Sequence, residues 1–333
     1  MKTRQLTMEV SLNGKPEGYV LNGMLWTPDD DVPVKYVIQV VHGMTEHIRR
    51  YEKFAKFLTE RGFVVAGYDL RGHGANDGDA EVASFVSGTI PCKDLKSSMA
   101  FGWDASVNEV YKIHKELLHL YPLAKHYMMG FSLGSFLVRD FMEQKIVLSL
   151  DGIILAGTGY QSPLITGMMG GLVMGEVKKV GFGQTTDLVR NLAFGTYNKK
   201  FTPTRTRADW LCSDSEELEM YLCDPFVRKD ISAELFHELL RAMGRTSRRS
   251  AYQHRNGVED MPVLLLSGEN DPVGNFGKGV KTLECTMKSA GMRRVESAIY
   301  AGARHDIFHE YSNGVANKVM NKICGWAERN NRV

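Results

Sequence analysis

Residues Tyr127 to Ser135 read YMMGFSLGS, which sets Ser132 between Gly130 and Gly134 directly after an apolar run. A serine hydroxyl is a weak nucleophile until a neighbouring base takes its proton, so this stretch carries chemistry only if a histidine and an orienting carboxylate can reach it. Two later segments offer them. Asp271 follows VLLLSG and His305 follows VESAIYAG, each just past a strand-like run. Loops beyond the carboxyl ends of parallel strands gather on one edge of the sheet, where residues distant in sequence meet. His305 is then expected to accept the serine proton, with Asp271 holding its tautomer and stabilising the cation. The oxyanion formed by attack needs aimed donors, and the Leu133 amide after the serine and the Met44 amide after VVHG are the expected pair. Glu269 stands as an alternative to Asp271, and His309 as an alternative to His305. His42 and His73 each precede a glycine in a loop and are read as hydrogen-bonding scaffold.

The surrounding elements support that placement. KYVIQVVHG and GFVVAGYDLRGHG are nearly continuous apolar runs, as in strands buried on both faces, and RYEKFAKFLTERG between them has helical spacing. WDASVNEVYKIHKELLHLYP predicts a helix ended by proline. KHYMMG predicts the strand before Ser132, SFLVRDFMEQ the helix after it, and DGIILAG another buried strand. This alternation predicts an α/β fold with a mostly parallel central sheet flanked by helices and right-handed crossovers. It lapses between about Thr158 and Met261, where helical patches such as EELEMYLC and SAELFHELLRAM appear without a clean strand, and resumes at MPVLLLSGENDPVG. Residues 1–157 and 261–333 are therefore expected to form the core, and residues 158–260 a helical cap inserted between sheet strands.

Five segments together, HGMTEHIRRY, YDLRGHG, GFSLGS, SGENDPVG and GARHD, resemble the successive signatures of serine hydrolases of the α/β-hydrolase superfamily. The resemblance is to the group that includes monoacylglycerol lipases and lysophospholipase-like enzymes, of the serine aminopeptidase S33 type. It implies that the triad order Ser132, Asp271, His305 is the family's own. It also implies that Glu46 and Arg50, which match polar positions of HGMTEHIRRY, stand near the alcohol end of the substrate. Monoacylglycerol lipases carry a second histidine three positions past the catalytic one. This chain has Phe308 there, a substrate-facing position on this reading, so a lysophospholipid or another ester is as admissible as a monoacylglycerol.

Composition narrows the partners. A formal charge of +2 across 333 residues offers no electrostatic footprint for nucleic acid. The five cysteines are odd in number and widely spaced, without CxxC pairs, so reduced thiols in a cytoplasmic protein are expected and no metal or cofactor is implied. The amino-terminal stretch MKTRQLTMEVSLNGKPEG has no apolar core of a signal peptide and is read as strand. The 24 uncharged residues from Gly152 to Gly175 include Pro163 and seven glycines, a composition unlike a lipid-spanning helix.

The leading expectation is a small-molecule ester or lipid substrate with an apolar acyl chain, cleaved through an acyl-Ser132 intermediate. Met168 and Met169, in LITGMMGGLVMG, are expected to line the acyl tunnel, since methionine suits adaptable apolar surfaces. The RTSRRS cluster reads as a solvated face, with transient contact between the cap and an anionic membrane surface as the alternative. Two other functions remain open. One is a proline-iminopeptidase type of aminopeptidase, which would use Glu216, Glu217 or Glu219 to hold a free amino terminus. The other is a non-catalytic binding protein on a hydrolase fold. Oligomeric state is not legible.

Overall fold

Every residue of the strand Tyr36–Val41 is buried, and its side chains alternate between two separate apolar cores. Val37 and Val41 enter one, Ile38 and Val40 the other, as a strand covered on both faces requires. In this computed structural model, which describes residues 1–12, 15–76, 81–85, 95–144, 149–253 and 258–330, that strand is β3 of an eight-stranded sheet. The other strands are β1 (Lys2–Leu12), β2 (Lys15–Thr27), β4 (Phe63–Tyr68), β6 (Lys125–Phe131), β7 (Gly152–Ala156), β9 (Val263–Gly268) and β10 (Val295–Tyr300). Their spatial order is β1-β2-β4-β3-β6-β7-β9-β10. β1, β2 and β4 pair antiparallel, and every pairing from β4 onward is parallel.

Helices cover both faces. α1 (Glu52–Thr59) and α9 (Val315–Arg329) pack Phe54, Leu58, Val319 and Ile323 into one core. α2 (Leu95–Leu120), α3 (Leu133–Gln144) and α8 (Lys278–Ser289) pack Val110, Phe136, Phe141 and Leu283 into the other. The helix expected from Trp103 starts earlier, at Leu95, because Ser97, Ser98 and Gly102 dilute the apolar periodicity of its first turns. The strand expected across Gly62 to Gly74 stops at Tyr68. Asp69 then turns inward, accepting hydrogen bonds from the amides of Ile48 and Ala75 at 2.8 Å each.

Between the neighbouring strands β7 and β9 the chain makes α4 (Pro163–Val180), α5 (Asp187–Phe194), α6 (Ser215–Cys223) and α7 (Ala233–Thr246). This inserted segment is not wholly helical. Its two-residue strand β8 (Asp230–Ile231) pairs in parallel with β5 (Val82–Ala83), too short a run to leave a sequence signature. Among the described residues no helix is long and apolar enough to cross a membrane. Cys212, Cys223, Cys285 and Cys324 are free thiols, and Cys92 lies outside the described residues.

Candidate active site

Ser132 occupies the single position between the end of β6 and the start of α3, with φ at 50° in the left-handed region that non-glycine residues seldom adopt. Its amide donates to the carbonyl of Ala156 on β7 at 2.9 Å, which holds the turn. The flanking glycines are needed for space. A Cβ on Gly130 would stand 2.5 Å from the carbonyl oxygen of Gly134, and one on Gly134 would stand 2.0 Å from that of Val41. Only glycine lets β6, α3 and β3 come this close and leaves the serine at the tip of the turn.

His305 and Asp271 arrive from the loops after β10 and β9. His305 Nε2 lies 2.9 Å from Ser132 Oγ, and His305 Nδ1 lies 2.8 Å from Asp271 Oδ1. A carboxylate oxygen can only accept here, so Nδ1 carries the ring proton and Nε2 is free to accept from the serine. Asp271 is fully buried and further held by the Val273 amide at 2.8 Å and the Ser267 hydroxyl at 3.3 Å. Phe131 and Trp210 lie against the imidazole, each with its ring centroid 5.0 Å from that of His305. Glu269 is exposed and accepts from the Gly302 amide, away from the histidine.

Ser132, His305 and Met44 line one cavity of about 350 Å³ together with Glu46, Arg50 and Phe131 of the core and Phe194, Trp210 and Tyr221 of the inserted segment. Among the described residues the amides of Met44 and Leu133 have no acceptor, and both lie beside Ser132 in the fold. Three of the side chains expected to meet the substrate do not line this cavity. Met168 points outward from α4 and is 67% exposed. Met169 packs back on the core beneath α4, because α4 lies along α7 and not over Ser132. Phe308 is buried among Tyr51, Phe54 and Phe131, where it fills core space.

Along the cavity wall runs a buried polar network that ties Glu46 and Arg50 to the histidine loop. Glu46 accepts from the Gly43 amide at 2.6 Å, from the Tyr51 hydroxyl at 3.0 Å and from Arg50 Nη1. Arg50 Nη2 reaches Asp306 at 3.0 Å, and Asp306 accepts from His309 Nδ1 at 2.9 Å. Burial opposes the charge of Asp306, but His309 and Arg50 outweigh it and hold the carboxyl well below its ordinary range. His309 thus serves this network. His42 and His73 are scaffold, as their setting before glycine suggested. His42 accepts from the Leu70 amide at 2.8 Å and bonds the Gly43 carbonyl at 2.7 Å, and His73 bonds the Arg71 carbonyl at 2.9 Å.

A family model described as "Serine aminopeptidase, S33" matches residues 32–312. The chain belongs to this family. Within it, the chain is 24% identical over 311 residues to a monoglyceride lipase of Rattus norvegicus, covering 93% of this chain and 87% of that one. It is 22% identical over 293 residues to a monoglyceride lipase homolog of Monkeypox virus, covering 88% and 89%. Among solved structures it resembles a thermostable carboxyl esterase from Bacillus coagulans in complex with glycerol, with a TM-score of 0.81, 24% identity and 99% of both chains covered. A monoacylglycerol lipase from Paleococcus ferrophilus superposes with a TM-score of 0.65 at 20% identity, over 93% of this chain and 99% of that one. At these identities the structural likeness establishes the α/β-hydrolase fold.

The family signatures lie in the core, whereas much of the cavity wall comes from residues with no such marker. Trp210, Tyr221, Arg207 and Asn198 were not expected from the sequence. An isolated aromatic in RADWLC was the only available hint for Trp210. Asp306 sits inside the GARHD segment but gave no sign of its pairing with Arg50.

Proposed function

We propose that this chain is a serine hydrolase that cleaves carboxylic esters with an apolar acyl chain. The observation that carries this reading is the hydrogen-bonded chain from Ser132 through His305 to buried Asp271, opening on one cavity. Ser132 Oγ attacks the ester carbonyl while its proton passes to His305 Nε2, and Asp271 holds the resulting imidazolium. The oxyanion takes hydrogen bonds from the Met44 and Leu133 amides. Collapse breaks the bond to the alcohol, which leaves with the proton from His305. Water then attacks the acyl-serine by the same route in reverse and frees the acid. The monoglyceride lipase relatives support a single-chain acyl ester as substrate, and a lysophospholipid is within the same reading.

Residues 158–260 act as a cap on this site, since α5 and the segment around Trp210 and Tyr221 supply one wall of the cavity. Phe194, Ala208, Trp210, Leu211 and Phe131 give the acyl chain its apolar path, in place of Met168 and Met169. The outer face of α4 has another use. Leu164, Ile165, Met168 and Leu172 are 74%, 56%, 67% and 60% exposed, and Lys178 and Lys179 follow in the last turn. Such a stripe suits transient contact with an anionic lipid surface from which substrate is taken up.

The aminopeptidase reading lacks its anionic anchor. Glu217 pairs with Lys53, Glu216 and Glu219 are exposed on α6, and none of the three lines the cavity. Parallel assays on a p-nitrophenyl ester series and on aminoacyl anilides decide the matter. Ester turnover with a fluorophosphonate adduct on Ser132 is the expected result. Anilide turnover alone would overturn the ester assignment, and no labelling of the folded protein would overturn catalysis through Ser132.

A further inference from the structure

The cavity beside Ser132 is lined by five cationic side chains, Arg50, Arg190, Arg207, Arg228 and Lys229, against the two carboxylates Glu46 and Asp230. Four of the cations are engaged. Arg50 is spent on Glu46 and Asp306, Arg190 bonds Asp187 at 2.6 Å and Asp230 at 3.1 Å, and Lys229 pairs with Glu81. The Arg190–Asp187 and Lys229–Glu81 pairs are solvent-exposed, and such pairs are weak and open to exchange, whereas Asp230 is half-buried. Arg228 is buried and donates to the carbonyl of Gly74 at 2.6 Å. Arg207 differs from the rest. It is exposed at the cavity and has no hydrogen bond or ion pair among the described residues. The Tyr221 hydroxyl, in the same cavity wall, lies 2.9 Å from Thr45 Oγ1, one residue beyond the Met44 amide.

We infer that the preferred substrate is an acyl ester whose alcohol part carries an anionic group, phosphate or carboxylate, taken by Arg207 at the mouth of the cavity. This rests on the ester-hydrolase reading above and sharpens it. A neutral alcohol leaves that guanidinium to water. An oxyanion takes paired, charge-assisted hydrogen bonds from its planar fork, with Lys229 adding to the field as its exposed partner Glu81 yields. The same field disfavours a free ammonium group in the cavity.

The test compares three esters of one acyl chain, a monoacylglycerol, the corresponding acylglycerol phosphate and an acyl hydroxycarboxylate, by kcat/KM in the wild type, Arg207→Gln and Arg207→Lys. The expected result is an anionic ester favoured over the neutral one by about tenfold at low salt, the preference shrinking as salt rises to about 0.5 M. In Arg207→Gln the anionic-to-neutral ratio should fall by most of that factor, and Arg207→Lys should restore part of it. Gain with phosphate alone, or with carboxylate as well, identifies the anion. A ratio at or below one in the wild type, or one unchanged in Arg207→Gln, overturns the inference while leaving ester hydrolysis standing. Hydrolysis of none of the three overturns both. Should Arg207→Gln fail to fold, the salt dependence of the wild-type ratio still decides.

Discussion

The indole of Trp210 lies against the imidazole of His305, centroids 5.0 Å apart and planes 36° from parallel, and the Trp210 carbonyl accepts the His305 amide. A side chain of the inserted segment thus braces a core histidine that Phe131 also contacts. Beside it Leu211 accepts from the Asp306 amide at 2.7 Å, so segment and loop are joined by backbone as well.

Trp210→Ala should therefore lower kcat/KM by about tenfold to a hundredfold, since a slack imidazole meets the serine in fewer productive geometries. Trp210→Phe keeps a ring in place and should retain most activity. The rate of fluorophosphonate labelling reads the same effect without a substrate pocket. An alanine variant that labels within twofold of wild type would remove Trp210 from any positioning role.

Ser132→Ala should fold normally, because the Cβ and the left-handed backbone are unchanged, and should lose ester turnover by at least about 10³-fold. Loss of both probe labelling and turnover, with an unaltered thermal transition, is the expected pattern. Turnover near the wild-type rate would require another nucleophile.

The meeting of Ser132, His305 and Asp271 was legible because each follows a strand-like segment, strongly apolar in β9 and mixed in β10, and strand order then brings the loops together. The cavity wall was not. Trp210 and Arg207 sit in irregular chain, where no periodicity tells which way a side chain points, and Tyr221 sits on the short helix α6, whose sequence does not say which neighbour its faces meet. Met168 and Met169 misled for a related reason. An apolar helix rich in glycine signals burial of some face, but not the partner. Gly170 packs near His237 and Thr166 faces Gly244, so α4 spends its inner face on α7 and leaves Met168 outside. The network of Arg50 with Asp306 joins residues 256 positions apart, a separation at which sequence carries no pairing signal.

Acid should destabilise the fold through His42 and His73. Burial pushes both down to about 3. Between about 3 and the ordinary value near 6.5 the unfolded chain binds protons that the folded one refuses, so this stability is complete above 6.5 and is lost as the pH falls. At pH 5 the loss is about 2 kcal/mol for each ring. The check is urea unfolding of the wild type and of His73→Asn from pH 5 to 7.5. Asparagine can still donate to the Arg71 carbonyl, so the variant should show a shallower pH slope, and equal slopes would refute the account.

Replacing Arg50 with methionine strands two buried carboxylates, Glu46 and Asp306, and should cost about 3–5 kcal/mol of stability. Glu46→Gln in the same chain should recover part of that loss, because one uncompensated charge is removed. Denaturant unfolding of the two single variants and the double variant measures the coupling. Additive losses would mean that the two side chains are energetically independent despite their contact.

The outer face of α4 offers the sharpest separation between chemistry and substrate delivery. Leu164, Ile165, Met168 and Leu172 are exposed, and none lines the cavity at Ser132. Met168→Asp therefore introduces a charge where water already reaches, and it should leave kcat/KM for a short, dissolved p-nitrophenyl ester within about twofold. The same charge must be desolvated if the face enters a lipid surface, and it meets repulsion from anionic headgroups. Turnover of a long-chain ester presented in anionic vesicles should fall by about tenfold or more, along with vesicle binding in a flotation assay. Loss of the dissolved-ester activity with vesicle binding intact would reverse the assignment, making α4 part of the site and not its approach to the membrane.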